Sequence, residues 1–204
     1  MVHQSNSQIN RVLSMLPPEA KIADLGAGGR KITPDTITMD FAKLDQTSVI
    51  ADIHSLPVKN ESFDCVFCTG TLEHVKYPET VVREIERTLK SSGVVYIDVP
   101  FMQCYHPDPE DYWRFTVKGL ELLCRRNGLF AMETGTNIGS ASSLTWVMSS
   151  FVESILPSGR VGKIISRIFS YCIFPVKYLD RFTVNGKNHY IAPSAVYLIG
   201  RKNE

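Results

Sequence analysis

The stretch that most constrains this chain is Lys21-Ile-Ala-Asp-Leu-Gly-Ala-Gly-Gly-Arg30. Residues 22–25 read as a short buried strand, and Gly26, Ala27, Gly28 and Gly29 follow with almost no side-chain bulk. Glycine tolerates positive φ and lets the backbone approach a ligand closely. Open α/β sheets hold nucleotide-like ligands at such a turn, off the carboxyl end of a strand. Asp24 brings a carboxylate to the same end. By itself the turn leaves three uses open: a dinucleotide site, a methyl-donor site, or a tight strand-to-helix turn. A dinucleotide fingerprint requires a third glycine where this chain has Lys31.

The rest of the chain supplies walls for that turn. Ile9, Val12, Leu13 and Leu16 have helical spacing, and Pro17-Pro18 ends the segment. Strands are expected at 36–40, ending on Asp40, at 49–51, ending at Asp52, and at 63–68, ending at Thr69-Gly70. Asp24 and Asp40 are too close in sequence for more than a stub of helix between them. A helix is predicted over 78–90, begun by Pro78 and stopped by Gly93. A strand over 94–99, a helix over 116–127 and strands over 129–134 and 195–200 complete the pattern. Strands alternating with helices imply a doubly wound, Rossmann-like α/β fold with a seven-stranded, mostly parallel sheet.

Between the last two strands lies an insert, residues 139–193. Leu144, Val147, Met148, Phe151, Val152, Ile155 and Leu156 form one apolar helical stripe, and Ile164, Ile165, Ile168, Phe169, Cys172 and Ile173 form a second. Arg160, Lys163, Arg167, Lys177, Arg181 and Lys187 accompany the second helix against Asp180. Two readings follow. The insert is a helical lid packed on the sheet, or its basic amphipathic helix meets an anionic membrane surface.

The 204 residues suit one domain, taken as 1–204. A net charge of +1 argues against nucleic-acid binding. Five scattered cysteines argue against a disulfide framework and for a reducing compartment. Cys65-Val-Phe-Cys68 has half a zinc spacing but sits in an apolar run with no second ligand pair, so no metal is expected. The polar start, residues 1–8, lacks a signal peptide's apolar core, and no run reaches membrane-spanning length. The expectation is a cytoplasmic protein, with the insert as its contact should it lie peripheral to the inner membrane.

Taken in order, Ile22-Ala-Asp-Leu-Gly-Ala-Gly, Ala51-Asp-Ile-His-Ser-Leu-Pro, Ser62-Phe-Asp-Cys-Val, Thr71-Leu-Glu-His-Val and Leu89-Lys-Ser-Ser-Gly are similar to successive motifs of the class I S-adenosylmethionine-dependent methyltransferases, type 11-like. The segments 100–106 and Pro109-Glu-Asp-Tyr-Trp-Arg-Phe-Thr resemble a bacterial subgroup associated with glycan and cell-envelope biosynthesis. Arg30 departs from the glycine many relatives carry. The resemblance implies that Asp24, Gly26, Ala27 and Gly28 surround the amino-acid part of S-adenosylmethionine. It implies Asp40 and Phe41 at the ribose, Asp52 and Ile53 at the adenine, and Thr69 and Gly70 facing the sulfonium.

Methyl transfer is an in-line displacement at an activated carbon, so the protein chiefly orients the nucleophile and excludes water. A base is needed only for a hydroxyl acceptor. His74 and His106 follow strands that open on the crevice, and Asp111 and Arg114 share a loop with His106. These four are the acceptor-side candidates, with Asp111 and Arg114 alternatively a loop-fixing ion pair. The expected acceptor is a small molecule or lipid-linked glycan, methylated at oxygen. A non-catalytic cofactor-binding scaffold is the first alternative. A nicotinamide-dependent oxidoreductase lacks its third glycine and its longer first crossover.

Overall fold

A computed structural model describes residues 4–203; residues 1–3 and 204 of the expected 1–204 unit lie outside them. Helix α1 (Gln4–Ser14) precedes strands β1 (Ile22–Leu25), β2 (Ile37–Asp40), β3 (Val49–Ile50) and β4 (Phe63–Thr69). A 3₁₀ turn (Leu72–His74), α2 (Pro78–Thr88), β5 (Leu89–Pro100), α3 (Val117–Arg126) and β6 (Leu129–Ile138) follow. The insert carries α4 (Ser140–Ile155), α5 (Arg160–Ile173), a 3₁₀ segment (Phe174–Leu179) and α6 (Asp180–Thr183), and β7 (Ala195–Lys202) closes the sheet.

The seven strands form one sheet in the order β3-β2-β1-β4-β5-β7-β6. All neighbours are parallel except at β7, which runs antiparallel to both β5 and β6. The mostly parallel, Rossmann-like expectation holds. The chain moves outward from β1 to β3 and then returns to β4, on β1's other side. The crevice at this reversal lies between the turn that ends β1 and the one that ends β4.

Central parallel strands bury both faces, and side-chain alternation sorts their residues. Val66, Cys68, Val95, Ile97 and Leu198 join a core with Val81, Val82 and Ile85 of α2 and Leu120 of α3. Cys65, Phe67, Val94, Tyr96 and Ile199 pack on the opposite face with Val12 of α1. Cys65 and Cys68 therefore point to opposite sides of the sheet and cannot ligate one ion; burial pushes both thiols up.

Three expected boundaries need correction. Among the described residues no helix lies between β1 and β2, so the expected stub is a turn. Gly93 does not stop α2: Leu89, extended at ψ 138°, already ends the helix and begins β5. The β4–β5 register then jumps from Phe63↔Leu89 to Cys65↔Val94, so residues 90–93 form an irregularity containing Gly93. Strand β6 runs on to Ile138 because pairing with β7 continues to Ala195.

The insert is helical, but its apolar stripes do not pack on the sheet. Helix α4 buries Ala141, Ser143 and Thr145 instead. Leu144, Val147, Phe151 and Ile155 stand 42–63% exposed, and Ile164, Ile165 and Ile168 of α5 are also exposed. Small side chains let α4 lie close to its neighbours and turn its bulky residues outward. Asp180 caps α4 from α6, accepting from the Ala141 N–H at 2.9 Å and the Ser142 hydroxyl at 2.5 Å.

Candidate active site

Two glycines shape the turn after β1 for different reasons. Gly26 has φ +65°, and a Cβ there would lie 2.4 Å from Thr71 Cγ2 and Oγ1. Thr71 is seated on that bare backbone and donates from its hydroxyl to the Leu25 carbonyl at 3.2 Å. Gly28 has φ +59°, but a Cβ there would meet nothing within 4 Å. One glycine is required by packing; the other borders open space.

Asp40, 5% exposed at the end of β2, ties this turn to its neighbour. Its carboxylate accepts from the Gly28 N–H and the Ala42 N–H, each at 3.1 Å. A carboxylate offers about four acceptor sites, so lone pairs remain for hydroxyls. Phe41 stands 67% exposed beside it. Asp52 is exposed, with its carboxylate accepting from the His54 N–H at 2.9 Å, and this bond holds its pKa below the ordinary value. The Ile53 side chain turns into the core. Ala27 is buried.

A cavity of about 710 Å³, within the usual range for ligand sites, opens at the ends of β4 and β5. Thr69, Gly70, His74 and His106 line it, so four predicted residues meet there. Asp24, the glycine turn, Asp40 and Asp52 do not line it. Arg30 joins the two regions. Its guanidinium lies 3.2–3.3 Å from both carboxylate oxygens of the fully buried Asp24, and it also donates to Thr69 Oγ1. Burial raises the Asp24 pKa, and Arg30 opposes that rise. Arg30 thus fills the place of the missing glycine with a cation between the two regions.

Asp111 and Arg114 do not line the cavity; they hold the loop that presents His106. Arg114 donates to both Asp111 oxygens at 2.5 and 2.6 Å, and to the Gln103 and Cys104 carbonyls. Asp111 accepts the His106 N–H at 2.8 Å. The Arg114 hydrogen bonds keep Asp111 well below the usual carboxylate range. Both are positioning residues. Of the two readings offered for them, the geometry matches the loop-fixing ion pair, because their polar groups are committed to the loop backbone and to each other.

The imidazoles are set by backbone. His74 Nδ1 lies 2.5 Å from the Glu110 carbonyl oxygen, and His106 Nδ1 lies 2.8 Å from that of Cys104. A carbonyl only accepts, so in the Nδ1–H tautomer each ring donates to it and presents Nε2 as an acceptor; Arg114 Nη2 also lies 3.3 Å from His106 Nδ1. The rings meet edge-on with centroids 5.4 Å apart, and Trp146 of α4 lies 5.6 Å from His106. Sequence reasoning missed Glu73, Asp98 and Trp146. Glu73 lines the cavity at 2% exposure, and burial pushes its carboxyl up to about 8. Its signal lay inside the motif Thr71-Leu-Glu-His-Val. Asp98, at the end of β5, accepts from the Tyr96 hydroxyl at 3.3 Å and from Asn137. Nothing in the local pattern marked Trp146 apart from its apolar neighbours.

Residues 24–97 match the family model described as a methyltransferase domain. The chain is 24% identical over 131 residues to a tRNA U34 carboxymethyltransferase of Campylobacter fetus, covering 57% of this chain and 46% of that protein. It is 27% identical over 165 residues to a sterol 4-C-methyltransferase of Caenorhabditis elegans, covering 74% of this chain and 46% of that one. The chain thus spans under half the length of these relatives. A Burkholderia thailandensis 1,6-didemethyltoxoflavin-N1-methyltransferase, solved with that compound and S-adenosylhomocysteine bound, superposes at a TM-score of 0.59. That likeness has 14% identity and covers 98% of this chain and 77% of the other. Residues 24–97 are thus similar to a methyltransferase domain, and the chain as a whole shares the Rossmann-like fold of the solved methyltransferase.

Proposed function

We propose that this chain transfers a methyl group from S-adenosylmethionine to a hydroxyl oxygen of a small-molecule or glycan acceptor. The observation that carries the reading is the partition of the crevice. A bare turn bordered by Asp40 lies on one side, and a cavity lined by two imidazoles lies on the other. Asp40 would receive the ribose hydroxyls on the lone pairs its backbone partners leave free. Thr69 and Gly70 line the cavity at the end of β4, where the sulfonium methyl would face the acceptor. His106 Nε2 would take the hydroxyl proton as oxygen attacks carbon in line and sulfur leaves with the bonding electrons. Calorimetric titration with S-adenosylmethionine and S-adenosylhomocysteine tests this. Micromolar binding, on the order of −8 kcal/mol, is expected, at least tenfold weaker in Asp40→Ala. No binding to the unaltered chain overturns the reading. Binding without product from any hydroxyl acceptor favours the scaffold alternative.

The acceptor is further proposed to be lipid-linked, reached while the insert rests on an anionic bilayer. Support comes from the exposed stripes of α4 and α5 and from charge. The insert holds six cationic and two anionic side chains in a chain of net charge +1. On the α5 helical wheel, Arg160, Lys163 and Arg167 border the Val161–Ile164–Ile165–Ile168 stripe, the arrangement of an interfacial helix. No described helix is long and apolar enough to cross a membrane. Co-sedimentation with vesicles containing about a third phosphatidylserine should retain the protein. Neutralising Arg160, Lys163 and Arg167 should release most of it. Equal failure of both proteins to bind, or retention by RNA but not by vesicles, refutes this.

A further inference from the structure

Glu73, His74 and His106 meet at the cavity wall with one ligand atom each, all within 4.8 Å of one another. Two observations separate this cluster from a chance gathering of polar groups. Glu73 is 2% exposed, yet its Oε2 has no hydrogen-bond partner among the described residues. Burying a carboxylate oxygen without a partner is costly, and such atoms call for one. In addition, Nδ1 of each histidine faces a main-chain carbonyl, so that the Nδ1–H tautomer leaves Nε2 as the lone-pair nitrogen on each ring. Metal-bound histidines are oriented by the same kind of outer hydrogen bond.

We propose that Glu73, His74 and His106 bind one divalent first-row transition cation whose open positions face the 710 Å³ cavity. Two imidazoles and one carboxylate suit zinc or iron(II) better than magnesium or calcium, which favour oxygen. Ligand bonds of about 2.0–2.2 Å place the donors a little over 3 Å apart, so binding draws them together by roughly an ångström. The Arg114–Asp111 pair and the Cys104 carbonyl hold His106 where it can do so. The use of the ion rests on the methyl-transfer reading; its binding does not. An acceptor hydroxyl on an open position loses its proton to solvent more readily. Its oxygen then bonds to the methyl carbon, the S–C bond breaks, and sulfur keeps the electron pair. One methyl ether, one S-adenosylhomocysteine and one released proton balance the step. His106 is then a ligand, and the cation rather than the imidazole activates the hydroxyl.

The test uses the full chain, stripped with a chelator and free of S-adenosylmethionine. Cobalt(II), followed by visible absorption, and zinc, followed by calorimetry, serve as probes. One ion per chain with micromolar or tighter affinity is expected. Glu73→Gln and His106→Gln should each weaken it at least tenfold, while His189→Ala, outside the cluster, should not. No binding to the unaltered chain at millimolar ion overturns the proposal, as does unchanged affinity in Glu73→Gln. If that variant does not fold, unchanged affinity in His106→Gln decides the matter the same way. Titrating the same samples with S-adenosylmethionine separates the two readings. Ion binding without cofactor binding retains this site and rejects methyl transfer, and the reverse rejects only the site.

Discussion

The two glycines that end β1 predict a contrast measurable in a pair of single substitutions. Alanine at either position adopts a left-handed φ, +65° at Gly26 and +59° at Gly28, at a cost of about 1–2 kcal/mol. At Gly26 the new methyl also falls 2.4 Å from two atoms of Thr71, whose Cβ is itself 3.0 Å away. Crowding of that kind in a packed region adds about 1–3 kcal/mol. Gly26→Ala should therefore lose about 2–5 kcal/mol, and Gly28→Ala only its backbone share. Equilibrium urea unfolding at fixed pH reads both values. Removing Thr71 Cγ2 and Oγ1 in Gly26→Ala/Thr71→Ala should recover part of the loss, giving a coupling of at least about 0.5 kcal/mol. The order should reverse in ligand binding per unit of stability lost. Gly28→Ala places its methyl in the open space proposed for the cofactor, and affinity for S-adenosylmethionine should fall at least tenfold in a folded protein. Equal destabilisation of both variants, with no coupling to Thr71, would refute the packing account. A Gly28→Ala variant with unaltered affinity would refute the placement of the ligand.

Three further outcomes follow from the same geometry. Glu84 accepts from Arg87 at 2.7 Å twice and from the Leu56 N–H at 2.8 Å, and the Arg87 bonds chiefly hold its carboxyl below the ordinary 4.5. The stability it contributes is full above 4.5 and is lost as pH falls through its lower folded value. Glu84→Gln should cost about 1–3 kcal/mol at pH 7 and flatten the acid limb of a stability–pH curve. Ile85→Ala, at a fully buried site, should cost about 2–5 kcal/mol, and Phe151→Ser, at 56% exposure, under about 0.5 kcal/mol; comparable losses in thermal unfolding would mean that α4's stripe is core. Arg30→Ala leaves the buried Asp24 without its counter-charge and should cost about 1–3 kcal/mol in urea unfolding, partly regained in Arg30→Ala/Asp24→Asn.

Much of the sheet was legible in the chain because each strand carries its own signal. Buried runs such as Phe63–Thr69 need apolar residues on both faces, and Asp40 and Gly70 stand where those runs stop. Boundaries were less legible where pairing overrode local cues. Gly93 looked like a helix stop, yet Thr88 and Leu89 turn the chain first and the strand absorbs the glycine. The candidate site divides in the same way. Its glycine turn and strand-end acids are local features, and His74 and His106 could be nominated from their motifs. A loop-fixing pair of Asp111 and Arg114 could be offered from their spacing, but the carbonyls of Gln103 and Cys104 that the guanidinium also holds are set by the folded loop.

The order of apolar runs and bends along the chain was enough to determine a strand-and-helix alternation and the end of the sheet where a ligand would lie. Both depend on short-range chemistry: backbone freedom at a turn and hydrophobic spacing along a strand. Only the folded molecule decided that α4's bulky side chains face outward while Ala141, Ser143 and Thr145 go inward. Only there did Glu73 reach two imidazoles, one of them more than thirty residues away. Helical periodicity reveals that a face exists but not what it meets, because the partner comes from another part of the chain.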